Sequence, residues 1–458
     1  MNAEAQEIQL LYSGARPTAV KILNRIERSD AYLDKLLDAE LRANELAQAD
    51  RSLLAELVHG VMRWQGRLDW VLNRFTHGNF AKSDINIKNT LRTALYQIMF
   101  LDRLPQYAIV NEAVEFIKRV RGDKIAGLVN AVLRNILRSL SDVQYPNKNE
   151  DAAQYLSVYY SHPLWMVKRW LERFSVEELE KFLAANNEIP LLTLRINRLK
   201  TKPNEFLALI EQQQVNYQSS NFIDHFIRVK NLSGIAQMDV FQKGYFSIQD
   251  ESAAFPVILL DPQPGERVVD LCAAPGGKTT FIGELLHDRG EIIAIDRYEH
   301  RLNLIRQSCE RLGISIVKTL AADSSQLELP LADKVLVDAP CSGLGTLRKK
   351  PDLKWKREVE DIERLAQLQD SLLENAIRIV KPGGTLVYST CTTEPEENEH
   401  LVKAFIERHP EVRVDNASRF ISSSLVTANG FVQTFPHRDH LDGSFAARLI
   451  KTTSVQQL

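Results

Sequence analysis

Apolar residues recur three and four positions apart over the first third of the chain: Val20, Leu23 and Ile26, then Leu54, Leu57, Val58 and Val61, then Leu91, Leu95 and Ile98. That period is the buried stripe of an amphipathic helix and predicts an all-α domain. The pattern continues through Val110, Val114 and Ile117 and through Leu128, Val132, Leu133 and Ile136, until Pro146 and the polar run NKNEDAAQ mark a boundary. The first domain is placed at residues 1–145.

Leu156 to Ala185 predict linking helices, after which TLRINRL and FIRV read as strands flanking a helical stretch from Glu205 to Gln213. This predicts a small α+β module over residues 146–245. From Phe246 onward, the β-branched runs RVVDLC, EIIAID, KVLVDAP and GTLVYSTC alternate with helical stretches. Such alternation predicts an α/β, Rossmann-like domain over residues 246–458, its mostly parallel sheet covered by helices and its ligands outside the carboxyl ends of the strands.

At 458 residues the chain exceeds a single enzyme domain. Its 57 basic and 59 acidic residues leave a formal charge of −2, which excludes a protein that coats nucleic acid through bulk charge; any RNA contact must come from local basic patches. Cys272, Cys309, Cys341 and Cys391 lack the paired short spacings of a disulfide framework or a zinc site and fit a reducing cytosol. MNAEAQEIQL has neither a basic start nor an apolar stretch, and no apolar run approaches the ~18 residues of a membrane span. A cytoplasmic monomer without metal or membrane contact is expected.

In VVDLCAAPGGKTT a glycine pair follows a hydrophobic strand and opens a helix predicted from Lys278 to Leu286. Gly276 and Gly277 allow a tight turn and close backbone approach to a ligand, and the helix start offers unpaired amides. Asp296 ends the next strand, about 20 residues on, where a carboxylate typically bonds ribose hydroxyls. The absence of GxxxxGK[ST] and of GxGxxG points to a smaller nucleoside cofactor. Asp323 is placed either to bond an adenine amine or to form a turn.

Asp338 and Cys341 in KVLVDAPCSGLGT, and Cys391 in GGTLVYSTCTTEPEEN, follow two strands of the same sheet and can face one crevice. Thr393 and Glu396 have capping-box spacing and Pro395 suits an early helical position, which predicts a helix just beyond Cys391 whose amides could hold a thiolate.

DLCAAPGGKTT, DAPCSGLGT followed by KKPDLKW, STCTTEPEEN and DGSFAARLI closely resemble the RNA cytosine-5 methyltransferase family, in its branch acting on small-subunit ribosomal RNA; LVNAVLRNIL resembles the NusB-like RNA-binding fold that such enzymes carry. The resemblance implies that Cys272, Ala273, Ala274, Pro275, Gly276, Gly277 and Lys278, with Asp296, Asp323 and Asp338, bind S-adenosylmethionine. It implies Cys391 as nucleophile and Cys341 as helper in product release; a Cys341 nucleophile, another RNA substrate and a non-catalytic assembly factor are the alternatives. Methylation at carbon-5 needs covalent activation by a thiolate at carbon-6, and a protonated Asp338 suits the ring nitrogen. Ser308 stands where the family commonly has Asn, and Ser444 where it has an aromatic residue.

Arg348, Lys349, Lys350, Lys354, Lys356 and Arg357 follow the Cys341 motif and are the candidate phosphate contacts to ribosomal RNA. Lys118, Arg119, Arg121, Lys124, Arg134 and Arg138 form a second basic stretch. The acidic run TEPEEN is read as helix-start chemistry with no catalytic part, and His437 with His440 as loop surface.

Overall fold

The computed structural model describes residues 11–453 apart from 44–45, 77, 231 and 233. The leader-free reading of the first ten residues lies outside them. The chain divides into two compact units, Met1–Glu188 with Leu347–Lys356, and Ile189–Thr346 with Arg357–Leu458.

The first unit is helical, with helices Ala15–Arg28, Leu33–Ala43, Gln48–Phe75, Ile85–Phe100, Gln106–Arg121 and Asp123–Ser139 around one core. The apolar stripes explain them: Val20, Leu23, Leu54, Leu57, Val58, Val61, Leu91, Leu95 and Ile117 are all buried. Leu128 is the exception at 49% exposed. The stripe of its helix runs through Ala126, Val129, Val132, Leu133 and Ile136, which puts Leu128 off the core face.

The segment Leu347–Lys356 packs within this unit, and it corrects part of the phosphate-contact reading. Lys354 is fully buried; its ammonium donates to the Arg63 and Ser161 carbonyls at 3.2 Å and to Asn187 Oδ1 at 2.6 Å. Trp355 Nε1 donates to the Met62 carbonyl at 2.7 Å, Lys356 donates to the Ala31 carbonyl at 2.8 Å, and Arg348 is buried. A cation so enclosed is closed to phosphate, so Lys354 and Arg348 leave the candidate list. Lys350 is exposed and Lys349 partly so.

The second unit holds two sheets. The smaller is antiparallel, in the order β2-β3-β1-β4, built from β1 (Leu192–Ile196), β2 (Tyr217–Ser219), β3 (Phe226–Val229) and β4 (Phe246–Ile248), with helix Pro203–Gln212 after β1. The larger is eight-stranded: β5 (Arg267–Asp270), β6 (Glu291–Asp296), β7 (Val317–Ala321), β8 (Ala332–Asp338), β9 (Val380–Thr390), β10 (Val412–Val414), β11 (Val432–Thr434) and β12 (Ser444–Lys451). Its path is β10-β12-β9-β8-β5-β6-β7, with β11 beside β12. Strands β5 to β9 pair in parallel, whereas β10 to β12 are antiparallel additions at the β9 side. The order reverses between β5 and β8, and ligand crevices form outside the strand ends at such a point. Among the described residues, no helix is long and apolar enough to cross a membrane.

Candidate active site

Both parallel registers around β8 bring three loops to one edge. The loop after β5 is fixed by Leu271 N donating to the Leu336 carbonyl (3.0 Å) and Ala273 N donating to the Ile295 carbonyl (2.8 Å). It turns at Gly276, whose φ of +105° and a would-be Cβ 3.2 Å from Ile305 Cα make any other residue strained there. Helix Gly277–Leu285 follows. Arg301 joins this loop to the end of β6 by donating to the Ala274 carbonyl at 2.9 Å while its other nitrogen lies 2.9 Å from the buried Asp296 carboxylate. Asp323 is exposed and accepts from the amide and hydroxyl of Ser325 at 3.0 and 2.7 Å, a local turn that holds its carboxyl below the usual range.

Asp338 at the end of β8 accepts from Lys278 Nζ at 2.7 Å and from Ser389 Oγ of β9 at 2.9 Å. Burial pulls the Lys278 ammonium down, but Asp338 outweighs it and leaves this lysine above its ordinary value. A fixed cation therefore stands in the crevice.

The two strand-end thiols meet directly: Cys341 Sγ lies 3.3 Å from Cys391 Sγ, and Cys391 N donates to Cys341 Sγ at 3.4 Å. The hydrogen bond to Cys391, together with burial, pushes the Cys341 thiol well above its usual value. Cys341 is thereby kept as the S–H partner, the state that can support a thiolate on its neighbour. Burial also raises the Cys272 thiol, with Asp270 adding to it, and lifts that of Cys309 to about 11. Neither has the makings of a nucleophile.

The α-helix expected just beyond Cys391 starts later than the capping signals place it. Residues Pro395–Glu397 form one 3-10 turn, and the α-helix starts at Glu399. The run between is tied inward instead: Tyr388 Oη donates to the Glu397 carbonyl at 2.6 Å, and Asn398 Nδ2 donates to the Thr392 carbonyl at 3.0 Å. The Glu397 carboxylate is buried and accepts from Ser342 N (2.8 Å), from Ser342 Oγ and from Gln369 Nε2 (2.9 Å). The acid the sequence reading dismissed thus links the loop of Cys341 to the loop of Cys391. Only its place in a TEPEEN run marked it, and that run reads equally well as a solvated helix start. Ser342, Ser389 and Arg301 were missed for a similar reason, since their parts depend on strands distant in sequence.

Arg357 donates to the Ser342 carbonyl at 2.8 Å and so borders the same loop. Ser444 fills its place in β12 with a hydroxyl 2.9 Å from Thr434 Oγ1, while Phe445 beside it packs on Phe431 and Tyr388. Among the described residues, no group of three or more His, Cys, Asp or Glu is arranged to hold a metal.

Residues 257–450 match the family model described as 16S rRNA methyltransferase RsmB/F, residues 13–138 match the NusB family, and residues 162–235 match the ferredoxin-like domain of RsmF/B-like methyltransferases. A protein of Bacillus subtilis (strain 168), named "probable ribosomal RNA small subunit methyltransferase B", is 36% identical over 448 residues, which is 96% of this chain and 99% of that one. The chain belongs to the RsmB/F methyltransferase family. A ribosomal RNA small subunit methyltransferase B of Yersinia pseudotuberculosis is 33% identical across 95% of this chain and 98% of its own. The crystal structure of PH0851 superposes with a TM-score of 0.80 at 29% identity, covering 94% of this chain and 97% of that one. NSun6 from Pyrococcus horikoshii, solved with SFG, gives 0.57 at 25% identity over 63% of this chain and 97% of its own. In RsmB/F terms the architecture is a NusB-like helical domain, a ferredoxin-like module carrying β1 to β3, and a methyltransferase domain on the larger sheet.

Proposed function

We infer that this chain transfers a methyl group from S-adenosylmethionine to carbon-5 of a cytosine in 16S ribosomal RNA through a covalent adduct on Cys391. The single observation that carries the reading is the pair of sulfurs 3.3 Å apart beside the Lys278–Asp338 pair, all at the ends of β5, β8 and β9. The loop Cys272–Lys278 suits a nucleoside cofactor: its glycine turn leaves the backbone free of side chain, and Asp296 stands at the neighbouring strand end to accept ribose hydroxyls. Asp323 is proposed at the adenine side. When bound, the cofactor supplies a methyl group on a sulfonium, an electrophile that carbon-5 of a resting cytosine attacks too weakly.

Cys391 supplies the activation. Its thiolate adds to carbon-6, the ring electrons shift toward carbon-5 and the ring nitrogen, and Asp338 stands to contact that nitrogen, the proton coming from the Lys278 ammonium that it holds at 2.7 Å. Once carbon-5 carries the methyl group, transfer of its proton to water sends the bonding pair back to expel the thiolate. Cys341, held as a thiol in contact with Cys391, is placed to return a proton to the leaving sulfur.

The helical domain, residues 1–145, with Lys349, Lys350, Lys356 and Arg357, is assigned to RNA contact, and residues 246–458 to catalysis. The test is transfer of labelled methyl to 16S RNA from cells lacking this protein. Cys391→Ala is expected to lose both transfer and any denaturant-resistant RNA adduct, whereas Cys341→Ala should accumulate the adduct. An active Cys391→Ala protein ends the reading, and exchanged phenotypes make Cys341 the nucleophile.

A further inference from the structure

Arg195, on β1 of the ferredoxin-like module, is fully buried, and its guanidinium points at the helix that follows the cofactor loop rather than at solvent. One nitrogen donates to the Gly277 carbonyl at 2.8 Å and to Gln249; the other donates to Thr280 Oγ1 at 3.0 Å and to Glu284 Oε1 at 2.8 Å. The Thr280 hydroxyl in turn donates to the Gly276 carbonyl at 2.9 Å. Both carbonyls of the glycine turn are thus fastened from behind, one of them by a residue 82 positions upstream. Just past the end of β1, Asn197 Nδ2 donates at 2.9 Å to the Gly244 and Leu312 carbonyls, the latter ending helix Glu299–Leu312, which carries Arg301.

We propose that Arg195 is a positioning residue for the methyl donor, and that the small module is part of the cofactor site. The inference rests on the cofactor placement given above. A planar guanidinium offers several donors in a rigid fork, so it can bond Gly277, Thr280 and Glu284 together; a lysine at this position reaches one or two of them. A glycine turn is the part of the loop least able to hold its own shape, because glycine ranges over conformations closed to other residues.

Two variants separate positioning from mere stability. Arg195→Lys keeps a charge opposite Glu284, and the pair Arg195→Met with Glu284→Leu removes the buried ion pair without stranding either charge. Isothermal titration of the full-length protein with S-adenosylhomocysteine is expected to show the dissociation constant rising about 10- to 100-fold in each, the range for loss of a buried charge-assisted bond. In methyl-transfer assays KM for S-adenosylmethionine should rise in step, while KM for RNA and kcat at saturating donor stay within about threefold. A purely structural role would lower the melting temperature and kcat and leave the dissociation constant of the folded fraction alone; that result, or wild-type affinity in either variant, overturns the proposal. Asp296→Asn serves as the separate control. Lost binding there with wild-type binding in Arg195→Lys removes Arg195 and leaves the cofactor site standing, whereas wild-type protein that does not bind S-adenosylhomocysteine overturns both.

Discussion

Asp270 ends β5 fully buried, with Thr279 Oγ1 donating to it at 2.7 Å, and burial with the nearby Asp338 charge pushes its carboxyl up from 3.8 to about 7. Because the folded chain holds this proton more tightly than the unfolded one, the stabilising contribution is complete below pH 3.8 and is lost as pH rises through 7. Asp270→Asn is expected to flatten the fall in melting temperature across that window relative to wild type; parallel curves in differential scanning fluorimetry would show that Asp270 does not set it. Glu397 acts at the same scale by a different route. Replacing it with Gln removes an acceptor from Ser342 and lets the Cys341 loop drift, and small misplacements of a reacting group can lower a rate about a hundredfold. Single-turnover adduct formation with Glu397→Gln should slow by about ten- to a hundredfold, with little change in KM for either substrate.

Elements set the accuracy with which such residues meet. Gly345, in the loop after β8, donates to the Cys391 carbonyl at 3.0 Å and accepts from Gly443 N at 2.8 Å, just ahead of β12. A Cβ on Gly345 would stand 1.9 Å from the Gly443 carbonyl oxygen, a clash between two backbones that no rotamer relieves. Gly345→Ala is expected to destabilise the fold by about 1–3 kcal/mol, the usual range for overpacking, in a urea titration, and to slow methyl transfer as well. Helix Val359–Ile379, which carries Gln369 to Glu397, starts with a reciprocal capping box between Glu358 and Asp361. Deleting the cap with Glu358→Ala should weaken it by about 1 kcal/mol in the same titration.

At the scale of the whole molecule, the segment Leu347–Lys356 is the least expected feature. Trp355→Ala, which removes an indole packed on the helical core and its bond to Met62, is expected to destabilise the helical unit by about 3 kcal/mol, read as a lower first transition in thermal unfolding. Its lysines illustrate what a sequence conceals: charge spacing shows where cations lie along the chain, but Lys354 is buried because Asn187 and two carbonyls happen to surround it. By contrast, β5, β6, β8 and β9 were legible in their β-branched runs, and so was the meeting of Asp338, Cys341 and Cys391 at the ends of β8 and β9, since placement at strand ends follows from topology. Glu397 and Arg195 were not, because each is defined by partners that tertiary pairing supplies. The later start of the helix after Cys391 has the same origin: local capping signals at Thr393 and Glu396 yield to the inward ties of Tyr388 and Asn398.

The strand that presents Cys391 has β8 on one side and β12 on the other, and β12 begins only at Ser444. During translation β9 therefore emerges and waits, an open and largely apolar ladder of unpaired amides, until some fifty further residues have been made. A polypeptide interrupted in that interval would carry its sulfur on a raw sheet edge, prone to self-association.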